Sequence, residues 1–121
     1  MEARVLVPFP RQVLLGGPTG TGSRSWYSET FDVEGFKTIA WMFEVYVSLP
    51  GAVTNPAALY LETSNDVNGP WVDLIPGGED PNVGTPANGA VSNPGKHLRA
   101  RVEVTQAESV LLALRCVARE M

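Results

Sequence analysis

The side chains that most often carry chemistry are scarce in this sequence. Its 121 residues include one cysteine, Cys116, and one histidine, His97. A lone cysteine excludes a disulfide within the chain and a four-thiolate zinc site. A lone histidine leaves zinc clusters and the usual nucleophile–base pairs short of members. Long apolar runs are also missing, and no segment approaches the roughly 18–20 residues that a spanning helix requires. Charged residues make up only 18% of the chain, so it is slightly poor in charge for a globular protein. The opening run MEARVLVPFPRQVLL, with Glu2 and Pro8-Phe9-Pro10, does not read as a signal peptide. Synthesis in a cytoplasm is the expectation.

Glycine and proline are plentiful, at 12 and 10 residues, and hydrophobic residues make up 44%. That composition suits one domain, 1–121, with a real core and many turns. The net charge of −4 is unevenly placed: residues 29–80 set Lys37 against nine carboxylates, while both ends of the chain are mildly basic. An acidic centre argues against a nucleic-acid-binding face. Basic ends suit contact with an acidic body, on the same chain or on a neighbour.

Periodicity points to strands. In Lys37–Ser48, the residues Ile39, Trp41, Phe43, Val45 and Val47 alternate with a second face that carries Met42 and Tyr46. Period two over this length, rich in aromatic and β-branched residues, predicts a long strand, and Met42 and Tyr46 point to partial cover on its second face. Leu59–Thr63, the turn-rich 64–70 and Trp71–Ile75 predict a hairpin. Leu98, Ala100, Val102 and Val104 alternate with Arg99, Arg101, Glu103 and Thr105, which predicts a half-buried strand. Ser109–Arg119 follows as the last strand. Trp26–Phe31, Val5–Val7 and Val13–Leu15 are shorter candidates. The fold class is therefore all-β: an antiparallel β-sandwich or jelly roll of about seven to eight strands with long Gly/Pro-rich loops. Ile39, Trp41, Phe43, Val45, Leu59, Leu61, Leu98, Val102, Leu112 and Leu114 are the expected core. Residues 1–15 read either as an extended arm or as an edge strand. Residues 76–95, with four prolines and five glycines, read as one long loop, and long loops tend to carry contacts.

Candidate chemistry is thin. Gly17-Pro18-Thr19-Gly20-Thr21-Gly22-Ser23 resembles a phosphate loop but lacks its lysine, and a strand pattern follows where a helix is required. Asp66, Asp73, Glu79 and Asp80 fall in turn contexts, without a calcium-loop pattern or evident acid–base pairing. His97 reads as a rim residue, and Cys116 as a small buried apolar one. Trp26 and Trp71 read as core, with a sugar-stacking platform as the alternative. No catalytic residue, cofactor or metal is expected, and the chain reads as a non-enzyme.

The stretch Leu59-Tyr60-Leu61-Glu62-Thr63-Ser64-Asn65-Asp66 through Trp71-Val72-Asp73-Leu74 resembles a hairpin of the form strand, S-x-D, turn, W-x-x-L. Discoidin-like carbohydrate-binding modules and small β-sandwich structural proteins of tailed bacteriophages share it. Phe31-Asp32-Val33-Glu34-Gly35-Phe36-Lys37-Thr38 is similar to the segment that precedes the long core strand in the phage-type proteins. Arg99–Arg119 is similar to their closing pair of strands. The resemblance spans residues 26–119. Val67-Asn68-Gly69-Pro70 departs from the sugar-binding pattern, which has glycine directly after the turn aspartate. The phage-type resemblance implies a head-decoration or capsid-stabilising protein of the virion, made in the host cytoplasm. Its partners would be copies of itself and a major capsid or other virion protein, with no nucleic acid and no membrane. A carbohydrate- or ligand-binding module is the alternative. Assembly contacts are expected from Arg4, Val5, Leu6, Val7, Phe9 and Arg11 in the N-terminal segment and from Val83 and Val91 in the long loop. Arg4 and Arg11 are expected to meet carboxylates such as Glu44 or Glu62 on a neighbour.

Overall fold

The computed structural model describes residues 3–75 and 77–120. Nine strands follow in order: β1 (Ala3–Leu15), β2 (Arg24–Tyr27), β3 (Phe31–Asp32), β4 (Thr38–Leu49), β5 (Ala57–Ser64), β6 (Val72–Asp73), β7 (Ala87–Ser92), β8 (His97–Val104) and β9 (Ser109–Arg119). They build two antiparallel sheets, one in the order β1-β9-β4-β7 and the other in the order β2-β8-β5-β6, with β3 also pairing β8. The all-β sandwich is the fold expected from the alternation.

All ten positions expected in the core are buried. The reason is visible in β8, where every second residue turns inward, and in β4 as far as Val45; a register irregularity between Val45 and Val47 then turns Val47, a member of the alternating set expected inside, out to solvent. Phe43, Leu98, Leu112 and Leu114 are fully removed from water, and each such side chain contributes about 1.5–3 kcal/mol of hydrophobic stabilisation. The first sheet supplies Ile39, Phe43, Leu112 and Leu114, and the second supplies Leu59, Leu61, Leu98 and Val102. Neither sheet can bury its apolar face without the other.

Of the two readings of residues 1–15 the structure has the edge strand, and elsewhere it departs from the sequence reading. The two short runs around Pro8-Phe9-Pro10 form one strand, β1, which pairs β9 at the edge of the domain's own sheet. Its register slips between Leu6 and Phe9 and again between Phe9 and Gln12. An edge position tolerates prolines because one side of the strand needs no ladder bonds. The expected strand Trp26–Phe31 is two strands, β2 and β3, joined at Ser28. There the Ser28 hydroxyl accepts a hydrogen bond from the Ala100 N–H at 2.9 Å, and the Ser28 N–H donates to the Ala100 carbonyl at 2.9 Å. Residues 76–95, read as one loop, contain β7, which pairs β4 from Thr38↔Ser92 to Phe43↔Ala87; Pro76 itself lies outside the described residues. The sequence ANGAVS has too few large apolar residues to show a period, and tertiary pairing determines its state. Gly89 fits because the Trp41 indole lies over it, where a β-carbon would stand 2.9 Å from Trp41 Cζ2.

Candidate assembly face

The glycine-rich loop 16–23 packs against the turn before β9. The Gln106 side-chain oxygen accepts from the backbone N–H groups of Gly20 at 2.8 Å and Gly22 at 3.0 Å. A β-carbon on Gly16 would lie 1.9 Å from the Thr105 carbonyl oxygen, so only glycine permits this approach. The amides that a phosphate loop would aim at an anion are thus engaged by a glutamine, and strand β2 follows rather than a helix. Glu108, in the same turn, is buried. It accepts from the Ser48 hydroxyl at 2.6 Å and from the Gly51 N–H at 2.9 Å. The Ser48 bond, with help from the amides of Gly51 and Ala52 and against the cost of burial, holds its carboxyl below the ordinary carboxylate range. These bonds tie three loops together at one end of the sandwich.

Other candidate residues have structural employment. The Asp66 carboxylate accepts from the Asn68 N–H at 2.9 Å, closing its own turn. Burial pushes the Cys116 thiol up to about 12, which leaves it an inert core group. Trp26 donates its indole N–H to the Leu15 carbonyl at 2.8 Å and lies under the Arg24 guanidinium. Trp71 lies under Arg99. Trp26 packs against the core as expected, whereas Trp71, read as core, lies half-buried beside the outward Arg99; each indole has a ring face covered by an arginine. Among the described residues, no three His, Cys, Asp or Glu side chains gather as metal ligands would.

The outer faces of the two sheets carry the remaining chemistry. On the β2-β8-β5-β6 sheet, Glu62 is buried under two arginines, accepting from Arg99 Nε at 2.7 Å and Arg101 Nε at 3.1 Å. Arg101 also bonds Glu103 and lies 3.6 Å from Asp73. Burial works against the Arg101 charge, and the carboxylates of Glu103, Glu62 and Asp73 more than offset it, so its pKa is raised. Arg99 stacks over Tyr27 and Trp71 at 4.6 and 4.3 Å, and Arg101 over Tyr60 at 4.0 Å. The Arg99 and Arg101 guanidinium groups are each held by carboxylates and by aromatic rings.

The outer face of the β1-β9-β4-β7 sheet is apolar. Register aligns Val5, Val117, Ala40 and Ala90 in one row across all four strands. It aligns Val13, Leu111 and Val47 in another, and Leu15, Ser109 and Leu49 in a third. Val5 is 67% exposed, Leu49 64% and Val13 57%, and Val7, Leu15, Met42 and Val47 are also open to solvent. The charges on this face are few: Arg115 stands 3.5 Å from Glu44, Arg11 stacks on Tyr46 at 4.5 Å, and Arg119 lies opposite Thr38 at one end. A groove of about 450 Å³ runs between Val5, Ala40, Met42, Asn88, Arg115 and Val117. Apolar residues scattered singly over a surface need no explanation, but a contiguous set on one face marks an interaction surface.

The expected contact residues divide on this geometry. Val5 and Val7 are exposed on β1, Arg4 and Arg11 are exposed beside them, and Val83 is exposed on the loop before β7. Leu6 and Phe9 are instead core residues: three positions apart, they reach the same inner face because the β1 register slips between them. Val91 is half-buried and packs against the same core. Glu62 is corrected too: roofed by its two arginines, it is no open partner for a neighbour's base. Arg4 donates to the Asp32 carbonyl at 3.0 Å within its own chain. Sequence reasoning missed Val47, Leu49 and Leu111 as surface partners of Val13 and Leu15. Only the order β1-β9-β4 brings them together.

Fold and surface define a class first: a two-layer antiparallel β-sandwich with one sheet face left apolar. Solved structures are similar to it in fold. The chain is similar to the infectious bursal disease virus VP2 subviral particle, with a TM-score of 0.61 and 8% identity, over 98% of this chain and 33% of that one. It is also similar to the infectious bursal disease virus Gx strain structure, with a TM-score of 0.51 and 8% identity, over 98% of this chain and 32% of that one. A third likeness, to the K2 cleaved adhesin domain of Lys-gingipain, has a TM-score of 0.46 and 12% identity, over 77% of this chain and 62% of that one. The chain spans about a third of the length of the viral structures it matches. At these identities the likeness to the two viral structures establishes the sandwich fold alone. No protein-family model matches the chain, and no curated protein matches it by sequence.

Proposed function

We propose that this chain is a non-enzymatic structural protein of a virion, decorating or stabilising a bacteriophage capsid or a similar shell. The observation that carries the reading is the apolar outer face of the β1-β9-β4-β7 sheet. Strands of 13, 11 and 12 residues, β1, β9 and β4, frame it. With a rise of about 3.3 Å per residue and a strand spacing of about 4.8 Å, it covers about 600 Å². A stable protein–protein interface takes about 800 Å² from each partner, so this face supplies most of one. Arg11 and Arg115 on the face, with Arg4 at its edge, suit a shell surface that is apolar with carboxylates at its margin, and they set orientation more than affinity. The phage-type resemblance of residues 26–119 and the capsid-like sandwich both support a place in the virion, reached from the host cytoplasm. The stacked arginines over Trp26 and Trp71 favour a structural role for those rings over a sugar platform.

The test is the composition of particles from the replicon that encodes the chain. Capsid and portal genes are expected alongside its gene. Mass spectrometry of purified particles is expected to find the chain at a fixed ratio to the major shell protein. Replacing Val13 and Leu49 by aspartate is expected to remove it from particles while leaving it folded. Purified particles that lack the wild-type chain defeat the reading.

A further inference from the structure

The sandwich has four sheet edges, and three of them are blunted. β1 carries Pro8 and Pro10 and two register irregularities. β6 has two residues. The edge formed by β2 and β3 is broken at Ser28 into pieces of four and two residues. Short pieces, prolines and bulges are the usual means of stopping unwanted strand pairing. β7 has none of these. Its six residues, Ala87–Ser92, include no charge and no proline, and its pairing with β4 runs without a register slip. The Asn93 N–H bonds the Lys37 carbonyl and the Gly84 N–H bonds the Val45 carbonyl, each at 2.8 Å, so the chain is held against β4 on both sides of β7. β7 ends its sheet, and no further strand pairs it among the described residues.

We propose that β7 is a self-pairing edge: it joins antiparallel to β7 of a second copy across a two-fold axis at Ala90, making one continuous eight-stranded sheet. An unguarded edge offers a row of backbone N–H and C=O groups, which a second strand satisfies. A second copy suits it because self-pairing across a two-fold axis sets each residue against its own chemistry, and a neutral strand brings no like charges together. With the axis at Ala90, Asn88 of one copy faces Ser92 of the other on the solvent side, and the small Gly89 faces Val91 on the inner side. Pro86 and Pro94 flank the strand and limit the pairing to its six residues. The row Val5–Val117–Ala40–Ala90 would then continue into its symmetry mate, so two apolar faces become one surface twice as wide. This pairing does not depend on what the apolar face binds.

Sedimentation and cross-linking test the pairing on the intact chain. The wild type is expected to sediment at twice its 13.0 kDa, and Ala90→Lys and Asn88→Lys at the single mass. Both positions are exposed, and circular dichroism is expected to show both variants folded. Ala90→Cys gives a second readout. Cα atoms facing each other across an antiparallel pair lie about 4.5–5.5 Å apart, within disulfide reach, and Cys116 is buried and inert. Mild oxidation is therefore expected to convert Ala90→Cys to a covalent dimer and to leave Val13→Cys monomeric on denaturing gels. A wild type that remains monomeric at high concentration overturns the proposal. So does a dimer that survives Ala90→Lys but is dissociated by Leu49→Asp, which would place self-association on the apolar face instead.

Discussion

The two sheets turn opposite chemistries toward solvent. On the β2-β8-β5-β6 sheet, the outward residues of β8 are His97, Arg99, Arg101 and Glu103, and neighbouring strands supply Glu62, Asp73, Tyr27 and Tyr60 as partners of the two arginines. On the β1-β9-β4-β7 sheet, the outward rows hold Val5, Val13, Leu15, Val47 and Leu49, all exposed and unmatched by comparable polar cover. The apolar face is also the longer one, framed by strands of 11–13 residues where no strand of the other sheet exceeds 8. A face that meets only water does well to carry charges that partner one another. A face left apolar reduces solubility, and it is retained where something covers it. The contrast supports the binding role proposed for the apolar face and a stabilising role for the other, and substitutions on the two faces are expected to divide along that line.

The largest effect is expected at Glu62. Glu62→Ala leaves Arg99 and Arg101 without their shared acceptor, and both side chains are more than two-thirds covered. Hydrogen bonds to charged groups contribute about 1.5–3 kcal/mol each. The partial exposure of both arginines lowers that, so a loss of about 2–3 kcal/mol is expected in urea unfolding. A change within experimental error would mean that the ladder is surface decoration and the contrast between the faces is empty. Arg99→Lys sharpens the same point at smaller scale. Lysine keeps the charge but loses the planar stack on Tyr27 and Trp71, and a loss of about 0.5–1 kcal/mol is expected.

Glu108 joins the loops at one end of the sandwich, and its effect depends on pH. Its folded-state pKa is lowered, so its contribution is fully present above the unfolded value and is lost as pH falls through the folded one. The difference in Tm between wild type and Glu108→Gln is expected to be constant at neutral pH and to shrink as pH drops below about 4.5. A difference that does not vary with pH would show that the Ser48 and Gly51 bonds do not favour the ionised carboxyl.

What the sequence disclosed follows from where the information lies. The ten core positions were legible because strand alternation is local, and a half-buried strand writes its inner face into every second residue. β7 was illegible because Ala87, Gly89 and Ala90 are too small to write a pattern, and its place is set by Trp41 on another strand. The apolar face was half legible. Val5, Val7 and Val13 stood out near one another, but their partners Val47, Leu49 and Leu111 become neighbours only through the order β1-β9-β4. The arginine–aromatic ladder was invisible for the same reason: Tyr27, Trp71 and Arg99 lie far apart in the chain.

The smallest effect on stability is expected where the largest effect on assembly lies. Val13 and Leu49 project from the apolar face at 57% and 64% exposure. Substitutions at such open sites usually change stability by less than about 0.5 kcal/mol. Val13→Asp and Leu49→Asp are therefore expected to unfold in urea at nearly the wild-type midpoint, and to be more soluble because two open apolar side chains have gone. Binding behaves differently. An aspartate buried against an apolar partner surface without a matching base must lose its hydration, at a cost of several kcal/mol per ion, and this reduces association by orders of magnitude. A dye that reports exposed apolar surface gives an independent check: it is expected to bind the wild type more strongly than the double variant, with circular dichroism unchanged. Large destabilisation by these two substitutions would mean that Val13 and Leu49 belong to the domain's own packing. The contrast between the faces would then be one of degree, and the case for a binding face would rest on Val5 and Val7 alone.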